Sequence, residues 1–136
     1  MSDPLFSVAD QVVVVSGGSR GIGKEIAAEF ARRDARVVIA SRNIETLTAA
    51  AKELSTGKYP VEFRVCDVSD PEATEKLIAG VVAELGRIDT LVNVAGINVR
   101  KRAESYTPAE YDSILNTNLR GLFFAAQAAG KRMIAQ

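Results

Sequence analysis

The sequence contains no histidine and a single cysteine, Cys66. Histidine is the most common general base near neutral pH and the most common metal ligand, so we expect no metal site. A lone cysteine cannot form an internal disulfide or a CxxC metal site. The cysteine content therefore fits a protein of the reducing cytoplasm.

Long apolar runs and an excess of one charge are missing as well. The amino-terminal stretch MSDPLFSVADQ has neither the basic start nor the apolar core of a signal peptide. The longest apolar run is too short to cross a bilayer, and the 17 basic and 17 acidic side chains balance. We therefore expect neither a membrane nor a nucleic acid as a partner.

Apolar strands and amphipathic helices alternate along the chain. The β-branched run 12–15 predicts a strand that is buried on both faces. Ile22, Ile26 and Phe30 recur every four residues and predict a helix that begins at Gly21. The same two patterns recur as strands at 37–40, 61–65 and 88–94 and as helices over 47–54, over 71–85 and from 108 onward.

This order of elements predicts an α/β fold, a Rossmann-type doubly wound parallel sheet with strand order 3-2-1-4. Residues 61–65 alternate between charged and apolar side chains, which agrees with an edge position. Residues 88–94 would form the other edge, although their sequence is that of an interior strand. We therefore expect one domain, 1–136, truncated after its fourth strand.

The glycine-rich turn after the first strand, SGGSRGIGK at 16–24, admits two interpretations. Its second glycine and its Gly-Lys pair have the spacing of a triphosphate-binding loop. Such a loop needs Ser or Thr after the lysine to hold Mg²⁺, and Glu25 occupies that position. In the second interpretation, Gly17, Gly21 and Gly23 bring a strand close to a helix amino terminus, which attracts the pyrophosphate of a dinucleotide.

The end of the second strand discriminates between the two common dinucleotides. NAD-dependent proteins usually carry an acid about 20 residues beyond the glycines to bind the ribose 2′-hydroxyl. This sequence has Ser41 and Arg42 there, and Arg20 adds a second cation in the turn. Guanidinium groups bind phosphate well, so we predict NADP as the cofactor, with NAD still possible. The alternative is that Arg42 is a solvated residue at a helix entry.

The sequence resembles the short-chain dehydrogenase/reductase family in four motifs, which occur in the family's order. The family's T-G-x-x-x-G-x-G signature matches 16–23, with serine in place of threonine. Its N-N-A-G turn matches 93–96, with valine in second place, and its N-L-x-G motif matches 118–121. The family's aspartate after the third strand matches Asp67, which Val68 follows.

The resemblance implies roles for the matched residues. Asp67 would meet the adenine, whereas Asn118 would bend its helix and hold a water molecule of a proton relay. Together with the turn and strand-end residues inferred above, the predicted cofactor-binding residues are Gly17, Ser19, Arg20, Gly21, Ile22, Gly23, Ser41, Arg42, Asp67, Val68, Asn93, Ala95 and Gly96, and the implied catalytic residue is Asn118.

The family's catalytic pair, Tyr-x-x-x-Lys, does not occur in this sequence. The fourth residue after Tyr59, Tyr106 and Tyr111 is phenylalanine, glutamate and leucine, respectively. Family members are nearly twice as long, so we interpret the chain as the cofactor-binding half of an oxidoreductase, inactive by itself. The alternatives are a non-catalytic nucleotide-binding remnant, a subunit completed by another chain, or a nucleotide-binding regulator.

The resemblance also implies a small-molecule carbonyl or alcohol as substrate, of a sugar-acid, polyol or 3-oxoacyl kind. Three cations in 97–102 are able to bind a carboxylate or phosphate, although such a cluster is more often a solvated loop. The helix over 119–129 is apolar on almost every side. In the family the corresponding helix packs between subunits, which implies a homo-oligomer.

Overall fold

The computed structural model describes residues 3–136, so Met1 and Ser2 of the stretch judged not to be a signal peptide lie outside it. A four-stranded parallel sheet forms the centre, in the order β3-β2-β1-β4, which confirms the predicted topology. The strands are β1 Val12–Ser16, β2 Arg36–Ser41, β3 Glu62–Val65 and β4 Thr90–Asn93.

Helices cover both faces of the sheet. Side chains cap helix starts: Asp70 accepts a hydrogen bond from Glu72 N, and Thr107 forms a capping box with Glu110. The helices are α1 Gly21–Arg32, α2 Ile44–Leu54, α3 Pro71–Leu85, α4 Pro108–Leu115 and α5 Leu122–Ala135.

Two apolar cores lie on opposite faces of the sheet, because successive side chains of a strand point to opposite sides. On one face Val13 and Val15 pack with Leu47 and the alanines of α1 and α2. On the other face Val12 and Val14 pack against α3 and α5. Both faces of β1 are therefore buried, as its unbroken β-branched sequence predicts.

The fourth strand is shorter than the predicted 88–94. Before it begins, the backbone of Ile88 pairs with the side-chain amide of Gln136, at 3.1 Å for Ile88 N to Oε1 and 2.7 Å for Nε2 to Ile88 O. A side chain thus satisfies the polar groups that a neighbouring strand would otherwise pair. Among the described residues, no strand lies beside the outer edge of β4.

The long predicted helix is interrupted. A π-helical segment, Asn116–Gly121, separates α4 from α5, and this segment contains Asn118. The bend that the resemblance implied at Asn118 therefore takes the form of a widened helical turn, a feature frequent at functional sites. None of the helices within residues 3–136 combines the length and the apolar character needed to span a membrane.

Candidate functional site

A cleft of ≈ 340 Å³ opens at the carboxyl edge of the sheet. Parallel strands bring the residues that follow them to this one edge, which is where open α/β sheets bind ligands. The lining residues are Gly17, Ser19, Arg20, Gly21, Ile22, Ala40, Ser41, Arg42, Cys66, Asp67, Val68, Val94, Ala95, Gly96, Ile97 and Thr117.

The turn after β1 requires glycine, which has no side chain, at two positions. Gly17 has a φ of +74°, and a Cβ there would lie 2.8 Å from Ala95 N, so the turn passes directly over the end of β4. A Cβ on Gly23 would lie 2.1 Å from Gly17 O. Gly23 therefore packs the first turn of α1 against the glycine turn, and it does not itself line the cleft.

The amino terminus of α1 faces the same cleft. Its first residues, Gly21 and Ile22, line the cleft, and no side chain caps the helix at Arg20. The first N–H groups of a helix have no partner within the helix and carry its positive dipole end. This arrangement suits a phosphate group.

The end of β2 adds a serine hydroxyl and a cation. Ser41 Oγ is enclosed and has no hydrogen-bond partner among residues 3–136, although Ser41 lines the cleft. Unpaired buried hydroxyls cost free energy, so such an atom marks a position where a ligand can supply the missing bond. Arg42 and Arg20 line the cleft as well, and they give this side of it positive charge.

Asp67 follows β3 and is held by the next turn. Its Oδ1 accepts hydrogen bonds from Ser69 N at 2.9 Å and from Ser69 Oγ at 2.8 Å. Burial opposes ionisation, but these two bonds and the nearby Arg42 charge together lower the pKa of Asp67. The carboxylate is therefore ionised at neutral pH and keeps acceptor capacity toward the cleft.

The residues that follow β4 form another wall of the cleft. Val94 N donates to Ser16 O at 3.1 Å, which continues the pairing with β1 and places Ala95 and Gly96 at the cleft. The Asn93 Oδ1 accepts a hydrogen bond from the Ser16 hydroxyl at 3.5 Å, and Asn93 does not line the cleft.

Asn118 joins the π segment to this wall. Its Oδ1 accepts from Ile97 N at 2.8 Å, and its Nδ2 donates to Ile97 O at 2.7 Å. A Cβ on Gly96 would lie 3.3 Å from Asn118 Oδ1, so the small residue leaves room for this pair of bonds. The side chain is fixed by backbone although it stands in an exposed position.

The structure brings together most of the predicted site residues. Eleven of the predicted residues line the cleft: Gly17, Ser19, Arg20, Gly21, Ile22, Ser41, Arg42, Asp67, Val68, Ala95 and Gly96. Gly23, Asn93 and Asn118 lie beside it and support its walls. The binding and catalytic roles assigned to all of these residues remain predictions.

Five lining residues escaped the sequence-based prediction: Ala40, Cys66, Val94, Ile97 and Thr117. Each of the five adjoins a predicted residue, so the neighbourhood of the predicted motifs was a usable signal. Burial raises the pKa of the Cys66 thiol, which is therefore protonated at neutral pH. For Thr117 that neighbour is Asn118, and the fold brings the π segment that contains both residues to the cleft.

The basic segment near the cleft is largely neutralised by its neighbours. Lys101 Nζ lies 2.8 Å from Glu110 Oε2, and Arg102 pairs with Glu104 at 2.5 Å. The Tyr106 hydroxyl donates to Val99 O. These contacts favour the solvated-loop interpretation of the cluster over an anion site.

The comparisons with known proteins agree with this geometry. The family model of short chain dehydrogenases matches residues 11–136. The gluconate 5-dehydrogenase of Gluconobacter oxydans is 36% identical over 98% of this chain and 53% of its own length. The D-threitol dehydrogenase of Mycolicibacterium smegmatis is 37% identical over 95% of this chain and 50% of its own length.

Solved structures have the same arrangement. A short-chain type dehydrogenase/reductase from Mycobacterium marinum superposes with a TM-score of 0.92 at 32% identity, over 97% of this chain and 53% of the other. A metagenomic short-chain oxidoreductase in complex with NADP superposes with a TM-score of 0.89 at 37% identity, over 95% of this chain and 59% of the other. The chain spans about half the length of the curated relatives it matches. It belongs to the short-chain dehydrogenase family of oxidoreductases.

Proposed function

We propose that this chain forms the cofactor-binding part of an NADP-preferring oxidoreductase that interconverts carbonyls and alcohols. The residues present fit a dinucleotide. Gly17 lets the turn pass close to the end of β4, where a Cβ would lie 2.8 Å from Ala95 N, and the uncapped terminus of α1 lies beside this turn at the cleft. Ser41 Oγ lacks a hydrogen-bond partner among the described residues at the same cleft.

The residues at the end of β2 carry the preference for NADP. Ser41 and Arg42 stand where an NAD-binding protein of this fold usually has an acid. A 2′-phosphate gains charge-assisted hydrogen bonds from a guanidinium and a bond from the unpaired hydroxyl. Arg20, which also lines the cleft, adds to the positive charge. The NADP complex of a solved relative supports this proposal.

The bound nicotinamide supplies the hydride chemistry, and the protein's part is to orient it and to move a proton. Asn118 fixes the wall after β4 through its two bonds to Ile97 and is thereby placed beside the cleft. No tyrosine among the 136 residues has a lysine four positions later. We therefore place the proton-transferring group outside this sequence, in the part of the relatives that it does not match.

We propose a polyhydroxylated substrate, such as a sugar acid or a polyol. The names of the relatives support this class, since gluconate, D-threitol and D-xylose dehydrogenases all match most of the chain. Their matched residues lie in the cofactor-binding half, so the similarity supports a substrate class and not one compound. The neutralised basic loop, 97–102, gives no reason to require an anionic substrate.

Replacing Arg42 with alanine tests the proposed cofactor preference. We expect Arg42→Ala to weaken NADPH binding about 10- to 100-fold, because a hydrogen bond to a charged group contributes about 1.5–3 kcal/mol. NADH binding should change less than about twofold, because that cofactor has no 2′-phosphate. Titration followed by cofactor fluorescence measures both affinities, and the absence of tryptophan removes energy transfer from the protein.

Arg33→Ala is the matched control for this experiment. Arg33 is an exposed arginine at the end of α1 that pairs with Glu29 at 2.7 Å, away from the cleft. Its replacement should leave both affinities unchanged. Equal losses of NADPH and NADH affinity in Arg42→Ala, or tighter binding of NADH by the wild-type chain, would contradict the preference for NADP.

A further inference from the structure

The Thr117 hydroxyl differs from the other threonine hydroxyls inside helices. Thr46, Thr48 and Thr74 each donate to the backbone carbonyl three or four residues earlier, at 3.1, 2.7 and 3.1 Å. Thr117, which lies in the π segment and lines the cleft, has no such bond and no other side-chain hydrogen bond within residues 3–136. A hydroxyl carries one donor and two acceptor sites, so this one is available to a ligand.

Two contacts fix the position of Thr117 in the cleft. Its neighbour Asn118 is bonded twice to Ile97, which ties the π segment to the wall after β4. Gly121, four residues later and on the same helical face as Thr117, packs against the turn after β3. A Cβ on Gly121 would lie 2.5 Å from Val68 O. Thr117 is thereby held between the ends of β3 and β4.

The proposed cofactor orientation assigns this region to the adenosine half. The pyrophosphate would lie over the turn 17–21, and the 2′-phosphate over Ser41 and Arg42 at the end of β2. The strand order places β3 next to β2 on the side away from β1. Asp67, Val68 and Thr117 line the part of the cleft that remains for the base and its ribose.

We propose that Thr117 is a cofactor-binding residue whose hydroxyl hydrogen-bonds the adenosine half of the dinucleotide, a role that rests on the proposed function. The π segment frees the hydroxyl from the bond that helical threonines make in this chain. The two hydrogen bonds between Asn118 and Ile97, together with the close approach of Gly121 to Val68, hold the same segment against the cleft. Thr117 therefore lies at the cleft because Asn118 and Gly121 anchor the π segment.

Substitution of Thr117 by valine, which has nearly the same shape, tests the hydroxyl itself. We expect Thr117→Val to weaken binding of both NADPH and adenosine 2′,5′-bisphosphate by about three- to tenfold, the range of one net hydrogen bond. Thr117→Ser retains the hydroxyl and should bind both ligands within about twofold of wild type. Isothermal calorimetry on the full 136-residue chain measures these affinities, and unchanged thermal unfolding without ligand shows that each variant is folded.

The outcomes separate this assignment from the proposed function. Parallel losses for the two ligands in Thr117→Val, rescued in Thr117→Ser, support the assignment. Wild-type affinity in Thr117→Val overturns it while leaving the proposed function intact. A loss for NADPH without a loss for the bisphosphate also overturns it, since the contact would then lie on the nicotinamide half. If the wild-type chain binds neither ligand, the proposed function fails and the assignment with it.

Discussion

At the scale of single residues, close backbone approach decides the shape of the cleft. Gly121 lets the π segment rest on the turn after β3, because a Cβ there would lie 2.5 Å from Val68 O. Gly80 in the middle of α3 has nothing within 4 Å of the position a Cβ would take. The glycine of the π segment is therefore closely packed, whereas the glycine of α3 faces open space.

Alanine at these two glycines should have opposite effects on stability. Gly121→Ala forces a backbone shift and should lower the free energy of unfolding by about 1–3 kcal/mol. Gly80→Ala should raise it by about 0.5–1 kcal/mol, because alanine favours the helix. Urea denaturation followed by circular dichroism measures both. A stabilising Gly121→Ala would mean that the π segment does not rest on Val68.

At the scale of elements, α4 and α5 are less covered than the other helices. No residue of α4 is buried, and α5 buries only its small side chains Ala125, Ala128 and Ala129. Leu119 and Phe123 are 63% and 59% exposed. Large exposed apolar surfaces on soluble proteins are typical of interaction sites.

We propose that this surface joins copies of the chain in a homo-oligomer. The double substitution Leu119→Lys with Phe123→Lys should then reduce the mass measured by light scattering to 14.5 kDa, the mass of one chain. Lysine would bring unpaired charges into an apolar contact. Ile44→Lys, at an exposed apolar position of α2, is the control and should leave the mass unchanged. A wild-type mass of 14.5 kDa would contradict the proposal.

At the scale of the whole molecule, a polar cluster joins segments at the edge of the sheet opposite the cleft. Asp10 precedes β1 with a φ of +64°, and its Oδ1 accepts from Lys58 Nζ at 2.7 Å and from the Tyr59 hydroxyl at 2.6 Å. The hydrogen bond from Lys58, then that from Tyr59, lowers the pKa of the Asp10 carboxyl. The cluster links the start of β1 to the segment before β3.

This cluster predicts a stability difference that depends on pH. A folded-state pKa below the unfolded value contributes stability that is present above about pH 4 and is lost as the pH falls through the folded pKa. Asp10→Asn tolerates the left-handed backbone but loses the charge. The variant should therefore unfold at a lower temperature than wild type at pH 7, and the gap should close at strongly acidic pH. If the difference in unfolding temperature between the two proteins is the same at pH 7 and at strongly acidic pH, the proposed contribution of the Asp10 charge is contradicted.

Much of the molecule followed from patterns within short stretches of sequence. The β-branched run of β1 predicted a strand buried on both faces, because this pattern acts within a few residues. The caps at Asp70 and Thr107 and the left-handed Asp34, with a φ of +61°, likewise act on their immediate neighbours in the chain. Because parallel strand ends meet at one edge, the glycine turn, Ser41 and Asp67 could be assigned to one cleft in advance.

Other features were decided only when distant segments met. Gly23 proved to pack against Gly17, and Asn118 proved to bond Ile97, 21 residues earlier in the chain. Thr117 reaches the cleft through the anchored π segment, and its place beside Asn118 was its signal in the sequence. The sequence by itself determined the strand order and most of the elements and predicted the ligand class, because those depend on local periodicity and turn chemistry. Tertiary structure alone decided which groups line the cleft and which support it, because that depends on contacts between segments far apart in sequence.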